Sequence, residues 1–377
     1  MVDVGIDRIQ IVPQIEKFLA GFLGVRGDES QKDNCEYCLN AFQSIPGLHL
    51  TKKIPGEFVG EYNMEFTWSG VCGSKPVYLH AWMDDVPAPM ESENQSAVSE
   101  GYIHGTGAVA GKGGVAAIYG LMMELSSKNI RFPFDIKIHL TVGHRRNGEG
   151  CAALAAETDG QAVLLMEPTG GNIVTHHAGN LWLKLTSTGV ACHSSVQQFG
   201  VGRNALTALF ELLELMKEKY DAYAGKTDGT YTMCFNVGSF AAGVWPSALC
   251  PEAVAQVAMV LDASEEASLL VEEYMRMATD YGVQVEELRK WACGGTKELD
   301  VTLAKLPDCL HKGGLAGNVA GSSEALEIGI YQSIAKVPCV AFGPSDISVA
   351  GTAKEKLSKK ALLDTIQAIM NYLKEVE

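Results

Sequence analysis

The sequence predicts an α/β domain, its sheet covered on both faces, interrupted by a smaller α+β sandwich. Three observations carry this reading. Up to about residue 180, short apolar runs alternate with helical periodicity. Between about 180 and 290 the pattern changes to strands and two strong amphipathic helices, and from about 290 the first style returns. The expected organisation is a discontinuous domain of residues 1–179 and 290–377, with an inserted unit at 180–289.

The elements follow in order. Ile9, Val12, Ile15, Phe18, Leu19 and Phe22 recur at helical spacing, so 8–44 reads as mostly helical. Strand-like stretches come at 57–68 and 76–83, then a Gly-rich turn and a helix from about 113 to 128. Strands at 134–142 and 161–167 are separated by a helix starting near Glu149. In the inserted unit, 181–187 reads as a strand. The stretch 203–219 reads as a helix with Leu206, Leu209, Phe210, Leu213 and Met216 on one side. Strands at about 230–239 and 253–262 precede a helix at 265–280. The return segment is expected to form a helix at 323–331, a strand at 337–342 and a terminal helix at 359–375.

Bulk properties narrow the function. The 377 residues are 47% hydrophobic and 20% charged, as in a globular chain long enough for two cores. A formal charge of −15 disfavours nucleic acid and anionic lipid as partners. No apolar run approaches the roughly 20 residues that span a bilayer. The first residues, MVDVGIDRIQIV, lack a basic stretch followed by a long apolar core, so no signal peptide is read and a cytoplasmic location is expected. Ten irregularly spaced cysteines read as reduced, buried thiols. Cys35-Glu36-Tyr37-Cys38, after Gly27-Asp28, has redox or zinc spacing, but with no second CxxC the structural reading outweighs it.

Five stretches carry chemistry: W82-M-D-D-V-P87, G105-TGAVAGKGG-114, H144-RRNGEG-150, M166-EPT-169 and F342-GPSDISVAG-351. In order and spacing they resemble the M20 family of metallopeptidases and deacylases, over nearly the whole chain. The family's motifs are GHxDxVP, GRGxxDxKGG, DEExG, EPT and a terminal FGPG…AH. The resemblance implies a zinc-exopeptidase-like α/β domain holding two zinc ions. It also implies that the inserted unit is an α+β sandwich acting as lid and dimerisation domain.

Residue by residue, the resemblance transfers the frame and loses the ligands. Asp84 and Pro87 match, but Trp82 stands where the zinc-binding His belongs. Gly105, Gly107, Ala108, Lys112, Gly113 and Gly114 match, yet Ala110 replaces the Asp that bridges both metals. Arg145 takes the place of the catalytic Glu base and Arg146 that of a ligand. Gly351 stands where the terminal His should be, so Glu167 of EPT is the one family ligand retained. Zinc needs deprotonated donors, which Trp, Ala and Gly lack. A guanidinium cannot accept a proton from water at neutral pH. No metal is therefore expected, Glu167 and Asp84 being the weak candidates. Arg145 and Arg146 should project near Asp84 and Glu167, forming an internal ion-pair cluster or, alternatively, a site for a carboxylate or phosphate.

The lid motif Gly189-Val190-Ala191-Cys192-His193-Ser194-Ser195 resembles the family's substrate-polarising His turn, and Gly202-Arg203-Asn204-Ala205 its G-x-N-A segment. The resemblance makes His193, Asn204, Arg203, Arg145, Arg146 and Lys112 candidate substrate-binding residues. Ser323-Glu324-Ala325-Leu326 departs from the family's S-D-A-R, so Leu326 lacks the Arg that holds a substrate carboxylate.

Competing chemistries are weaker. The Gly105–Gly114 stretch fails the P-loop pattern at Thr106 and Gly113. His176-His177 reads as structural, because adjacent residues rarely point at one ion. Cys192-His193 neighbours face opposite ways in an extended segment. Cys151, His144 and Glu149 are a conceivable nucleophile set.

Three functions remain. The first is an M20-fold pseudoenzyme, a ligand-binding or regulatory homologue that forms a homodimer through the lid or pairs with an active paralogue. The second is metal-independent hydrolysis of a small amide or N-acyl amino-acid derivative. The third is a hydrolase with one zinc, assembled from Asp84, Glu167 and donors such as His80, His104 or His144. The ligand class expected is carboxylate or amide-like.

Overall fold

In the computed structural model, residues 7–25, 30–86, 96–243, 245–344 and 347–376 are described. Gly27, Asp28 and Pro87, and positions 1–6 and 345–346 of the quoted stretches, fall outside them. The chain divides into two units. One comprises 1–176, 295–320 and 326–377; the other comprises 177–294 and 321–325.

The first unit is built on a mixed sheet. Its strands run in the order Leu48–Pro55, Tyr62–Trp68, Phe134–Thr141, Ser74–Trp82, Ala162–Met166, Cys339–Phe342, Ile173–His177. The four strands from Phe134–Thr141 to Cys339–Phe342 are mutually parallel. Parallel strands are covered on both faces, and the side chains sort accordingly. Val77, Leu79, Ala81, Leu164, Met166, Val340 and Phe342 enter the core shared with helices Arg8–Gly24, Lys112–Ser127 and Lys359–Glu375. Tyr78, Val163, Leu165, Cys339 and Ala341 enter a smaller core with Cys151, Ile328 and Tyr331. The period of two along each strand puts Tyr78, His80 and Trp82 on this second face.

The second unit has a four-stranded antiparallel sheet in the order Phe235–Ala242, Glu252–Leu261, Gly179–Thr188, Val283–Trp291. Helices Ala205–Ala224 and Glu265–Asp280 cover one face, burying Leu209, Leu212, Met216, Leu270 and Tyr274 against Leu183, Leu185 and Val257. Both helices start at side-chain caps: Asn204 accepts from the Leu206 N–H (3.1 Å) and Ser264 from the Ala267 N–H (3.2 Å). This is the expected α+β sandwich.

Several local expectations are corrected. The helix expected at 323–331 is only Ile328–Ile330, followed by a π turn over Tyr331–Ala335. Leu48–Pro55 and Val283–Trp291 are strands that the sequence reading passed over. The second contains Glu-Glu-Leu-Arg-Lys, all helix formers, but pairing with Gly179–Thr188 over its whole length outweighs that propensity. Helix Leu306–Gly313 was also missed; it packs on Lys359–Glu375 and ends at Gly314 in the left-handed conformation.

Candidate functional site

The carboxyl ends of parallel strands are where open α/β sheets place ligands, and the sequence motifs converge there. Trp82 ends its strand opposite Thr141, and Glu167 directly follows the strand Ala162–Met166. His144 lies three residues beyond Thr141, in the turn before helix Glu149–Ala155. Glu327 comes from the segment entering Ile328–Ile330.

These residues form a compact buried group. The Trp82 indole N–H donates to Glu167 Oε1 at 2.7 Å. The indole stacks on the His144 imidazole, with ring centroids 4.3 Å apart and planes at 4°. His144 Nδ1 shares a hydrogen bond with Glu327 Oε1 at 2.7 Å. Donor atoms of His144, Glu167 and Glu327 all lie within 4.8 Å of one another. Glu167 is 5% exposed and Glu327 1%. A Cβ on Gly111 would overlap the Trp82 ring, so this glycine, at φ 69°, is what lets the indole lie flat there.

The electrostatics follow from burial and from the paired charges. Burial alone would raise the Glu327 carboxyl; the charge and hydrogen bond of His144, with His80, outweigh it and hold Glu327 below the usual range. Burial lowers His80 to about 4, against the pull of Glu327. His80 Nε2 is bonded to Thr141 Oγ1 at 2.8 Å. On the same face, His139 bridges Tyr331 Oη (2.7 Å) and Glu65 Oε2 (3.2 Å).

Arg145 lies beside Asp84, as expected, whereas Arg146 is drawn to other carboxylates. Arg145 meets Asp84 through its backbone: the Gly143 and Arg145 N–H groups donate to the Asp84 carboxylate at 2.8 and 2.9 Å, while the Arg145 guanidinium donates to the Asp85 carbonyl at 2.8 Å. Burial nonetheless raises the Asp84 pKa, opposed by those N–H bonds. Arg146 pairs with Glu57 (3.0 Å), Glu61 (2.9 Å) and Glu149. The expected partners were Asp84 and Glu167; three other carboxylates grip this guanidinium instead, which disfavours the anion-site alternative at Arg146.

Lys112 is buried, its ammonium held by Asp85 (2.7 Å) and the Phe22 and Val25 carbonyls (3.0 and 2.9 Å). Those contacts favour a structural role over substrate binding and remove the cation that a phosphate loop would need. In the second unit, Asn204 caps a helix, the Arg203 guanidinium donates to the Tyr281 carbonyl, and the exposed His193 bonds Ser195 Oγ through Nδ1 at 2.9 Å. His104 bonds Ser99 Oγ at 3.0 Å and lies outside the His144 group.

The remaining readings resolve simply. All ten cysteines are free thiols, but Cys72 and Cys234 are exposed and Cys192 and Cys293 half-buried, against the expectation that all are buried. Burial raises Cys35 to about 12 and pushes up Cys38 and Cys151, which makes them poor nucleophiles and ligands. His177 Nδ1 is bonded to the Ala178 carbonyl at 2.9 Å, and His176 to Thr175 Oγ1 at 3.1 Å. A separate concavity of about 870 Å³, edged by Thr175, Thr296 and Lys336, involves none of the motif residues.

A two-zinc centre does not fit these residues. Trp82 fills ligand space with an aromatic ring, Ala110 offers no donor, and Arg146 is a cation tied to carboxylates. Gly351 contributes only a backbone N–H, bound by Glu355 Oε2 at 2.9 Å. Glu327 is the member of the cluster that sequence reasoning missed. Its one signal was an acidic residue set among apolar neighbours in Ala325-Leu326-Glu327-Ile328.

The sheet with its parallel strands and the separate α+β sandwich have the fold of M20 peptidase structures, such as an M20 family metallo-carboxypeptidase of Sulfolobus solfataricus (TM-score 0.71 at 15% identity, covering 97% and 98%). Residues 175–286 match the M20 peptidase dimerisation domain. The chain is a homologue of a "Probable succinyl-diaminopimelate desuccinylase" of Staphylococcus aureus, 36% identical over 156 residues. That alignment takes in 39% of this chain and spans only about two fifths of the relative's length (38%). A tripeptidase crystal structure from S. aureus superposes with TM-score 0.76 at 17% identity, covering 98% of this chain and 99% of that one. The dipeptidase Dug1p of Saccharomyces cerevisiae superposes with TM-score 0.77 at 12% identity, covering 97% and 96%. At such identities these likenesses establish the fold alone.

Proposed function

We propose that this chain is an M20-fold protein that does not assemble the family's two-zinc centre, and that it acts as a ligand-binding or regulatory homologue of amidohydrolases. The observation that carries this reading is the Trp82 indole, bonded to Glu167 and stacked on His144 where the first metal ligand would stand. Arg145 at the position of the general base supports it, because a guanidinium cannot take a proton from water. The ligand is a small carboxylate or amide-like molecule. Among the described residues no helix is long and apolar enough to cross a membrane.

The dimerisation-domain match supports a homodimer through the second unit, with a heterodimer with an active paralogue as the alternative. The edge strand Phe235–Ala242 is the natural surface. It exposes Val237 and Phe240, and Phe240 lies against the exposed Phe210 of the neighbouring helix (ring centroids 5.4 Å).

The deciding experiment assays the purified protein against N-succinyl-diaminopimelate and a tripeptide, with and without added Zn²⁺ and Co²⁺, alongside elemental analysis. No turnover is expected under any condition, with thermal stabilisation by a bound carboxylate or amide instead. Two tightly held zinc ions per chain, with hydrolysis that a chelator abolishes, would overturn the reading.

A further inference from the structure

We propose that His144, Glu167 and Glu327 form a site for one divalent cation of the zinc class, with a ligand set different from that of the family's two-metal centre. The proposal rests on the preceding reading that no two-zinc centre assembles here, and it gives the ligand-binding site an electrophile.

Two independent observations carry it. The first is geometric. One imidazole nitrogen and two carboxylate oxygens lie within 4.8 Å of one another. Donors about 2.1 Å from a tetrahedral cation lie about 3.4 Å apart, so the three side chains must close in from separations of up to 4.8 Å as the ion binds. The second is an unmet polar atom. Glu327 is 1% exposed, and its second oxygen, Oε2, is buried with no hydrogen-bond partner among the described residues. Such an atom costs stability unless something binds it. His80, on the same face of the strand as Trp82, likewise buries its Nδ1 without a partner.

The surroundings fit a cation. Of the nearby guanidinium groups, Arg146 is paired with Glu57, Glu61 and Glu149, and Arg145 lies beside Asp84 and Asp85. Trp82 fixes Glu167 from one oxygen and packs His144 flat, as supporting contacts orient ligands in metal sites. A nitrogen with two carboxylate oxygens suits Zn²⁺, Co²⁺ or Mn²⁺ rather than soft Cu⁺ or an all-oxygen Ca²⁺ site. The remaining coordination positions are open to water or to a carboxylate or amide oxygen.

The test titrates the full-length, chelator-stripped protein with Zn²⁺ by calorimetry, followed by elemental analysis after gel filtration. One equivalent is expected, with micromolar or tighter Kd. Glu327→Gln and, separately, His144→Gln should each weaken it at least about ten-fold. If either variant fails to fold, Co²⁺ added to the wild type supplies the second readout: visible bands of a four- or five-coordinate ion are expected. No binding, a featureless six-coordinate Co²⁺ spectrum, or one equivalent unaffected by both variants would overturn this inference and leave the functional reading standing. Two equivalents with hydrolysis would overturn that reading and this inference with it.

Discussion

The indole of Trp82 and the imidazole of His144 lie face to face, 4.3 Å apart and 4° from parallel. The two residues belong to different strand ends, and the same indole donates to Glu167. An aromatic sandwich and a hydrogen bond thus knit three strand ends together at the carboxyl edge of the parallel sheet.

Removing that ring should be costly. Trp82 is 4% exposed, so Trp82→Ala opens a cavity and strips Glu167 of its indole donor; a loss of about 3–5 kcal/mol is expected. Urea denaturation measures it. A loss below about 1 kcal/mol would show that the ring contributes little packing. Trp82→His alone should not create hydrolysis, because Ala110 and Arg145 are unchanged.

Arg146 and Glu61 form the second testable pair. The Glu61 side chain is 0% exposed and that of Arg146 is 24% exposed, so the pair is only partly screened. Arg146→Ala leaves a buried carboxylate with a weaker partner set and should cost about 1–3 kcal/mol. The double variant Arg146→Ala/Glu61→Gln should recover part of that loss. Additive losses in the double-mutant cycle would show that the two side chains are not coupled.

His80 sets a pH window. Its folded-state pKa is depressed to about 4 by burial, against an ordinary value of 6.5. The unfolded chain therefore binds a proton that the folded chain refuses between those values. The contribution is fully present above about pH 6.5 and is lost as pH falls toward 4, about 3 kcal/mol in all. Denaturation of chelator-treated protein between pH 4 and 7 should show this slope. His80→Asn, which keeps a polar group near Thr141, should flatten it. An unchanged slope in the variant would assign the acid sensitivity elsewhere.

The dimer reading gives the fourth test. Phe240 is 38% exposed on the edge strand, so Phe240→Glu should leave monomer stability within about 0.5 kcal/mol while shifting sedimentation toward monomer. A wild type that sediments as a monomer at micromolar concentration would remove the basis for this surface.

Much of the architecture could be read from local pattern, because each local signal had a local cause. The apolar run at Val77–Ala81 follows from a strand buried on both faces, and the helical stripes at Leu209–Met216 and Leu270–Met277 from burial on one side. Where propensity and pairing disagreed, as in Val283–Trp291, the sheet decided and the sequence reading failed.

The chain by itself determined which donors are missing: Trp82, Ala110, Arg146 and Gly351 have no metal-binding atoms whatever surrounds them. It could not determine what stands in their place. Glu167 meets an indole 85 positions away, and His144 meets a carboxylate 183 positions away, because parallel strands bring distant segments to one edge of the sheet. Sequence spacing carries no measure of such a meeting. Only the folded backbone converts separate losses along the chain into one buried cluster with its own charge balance, directing Arg146 to Glu57 and Glu61 and leaving Glu327 beside His144.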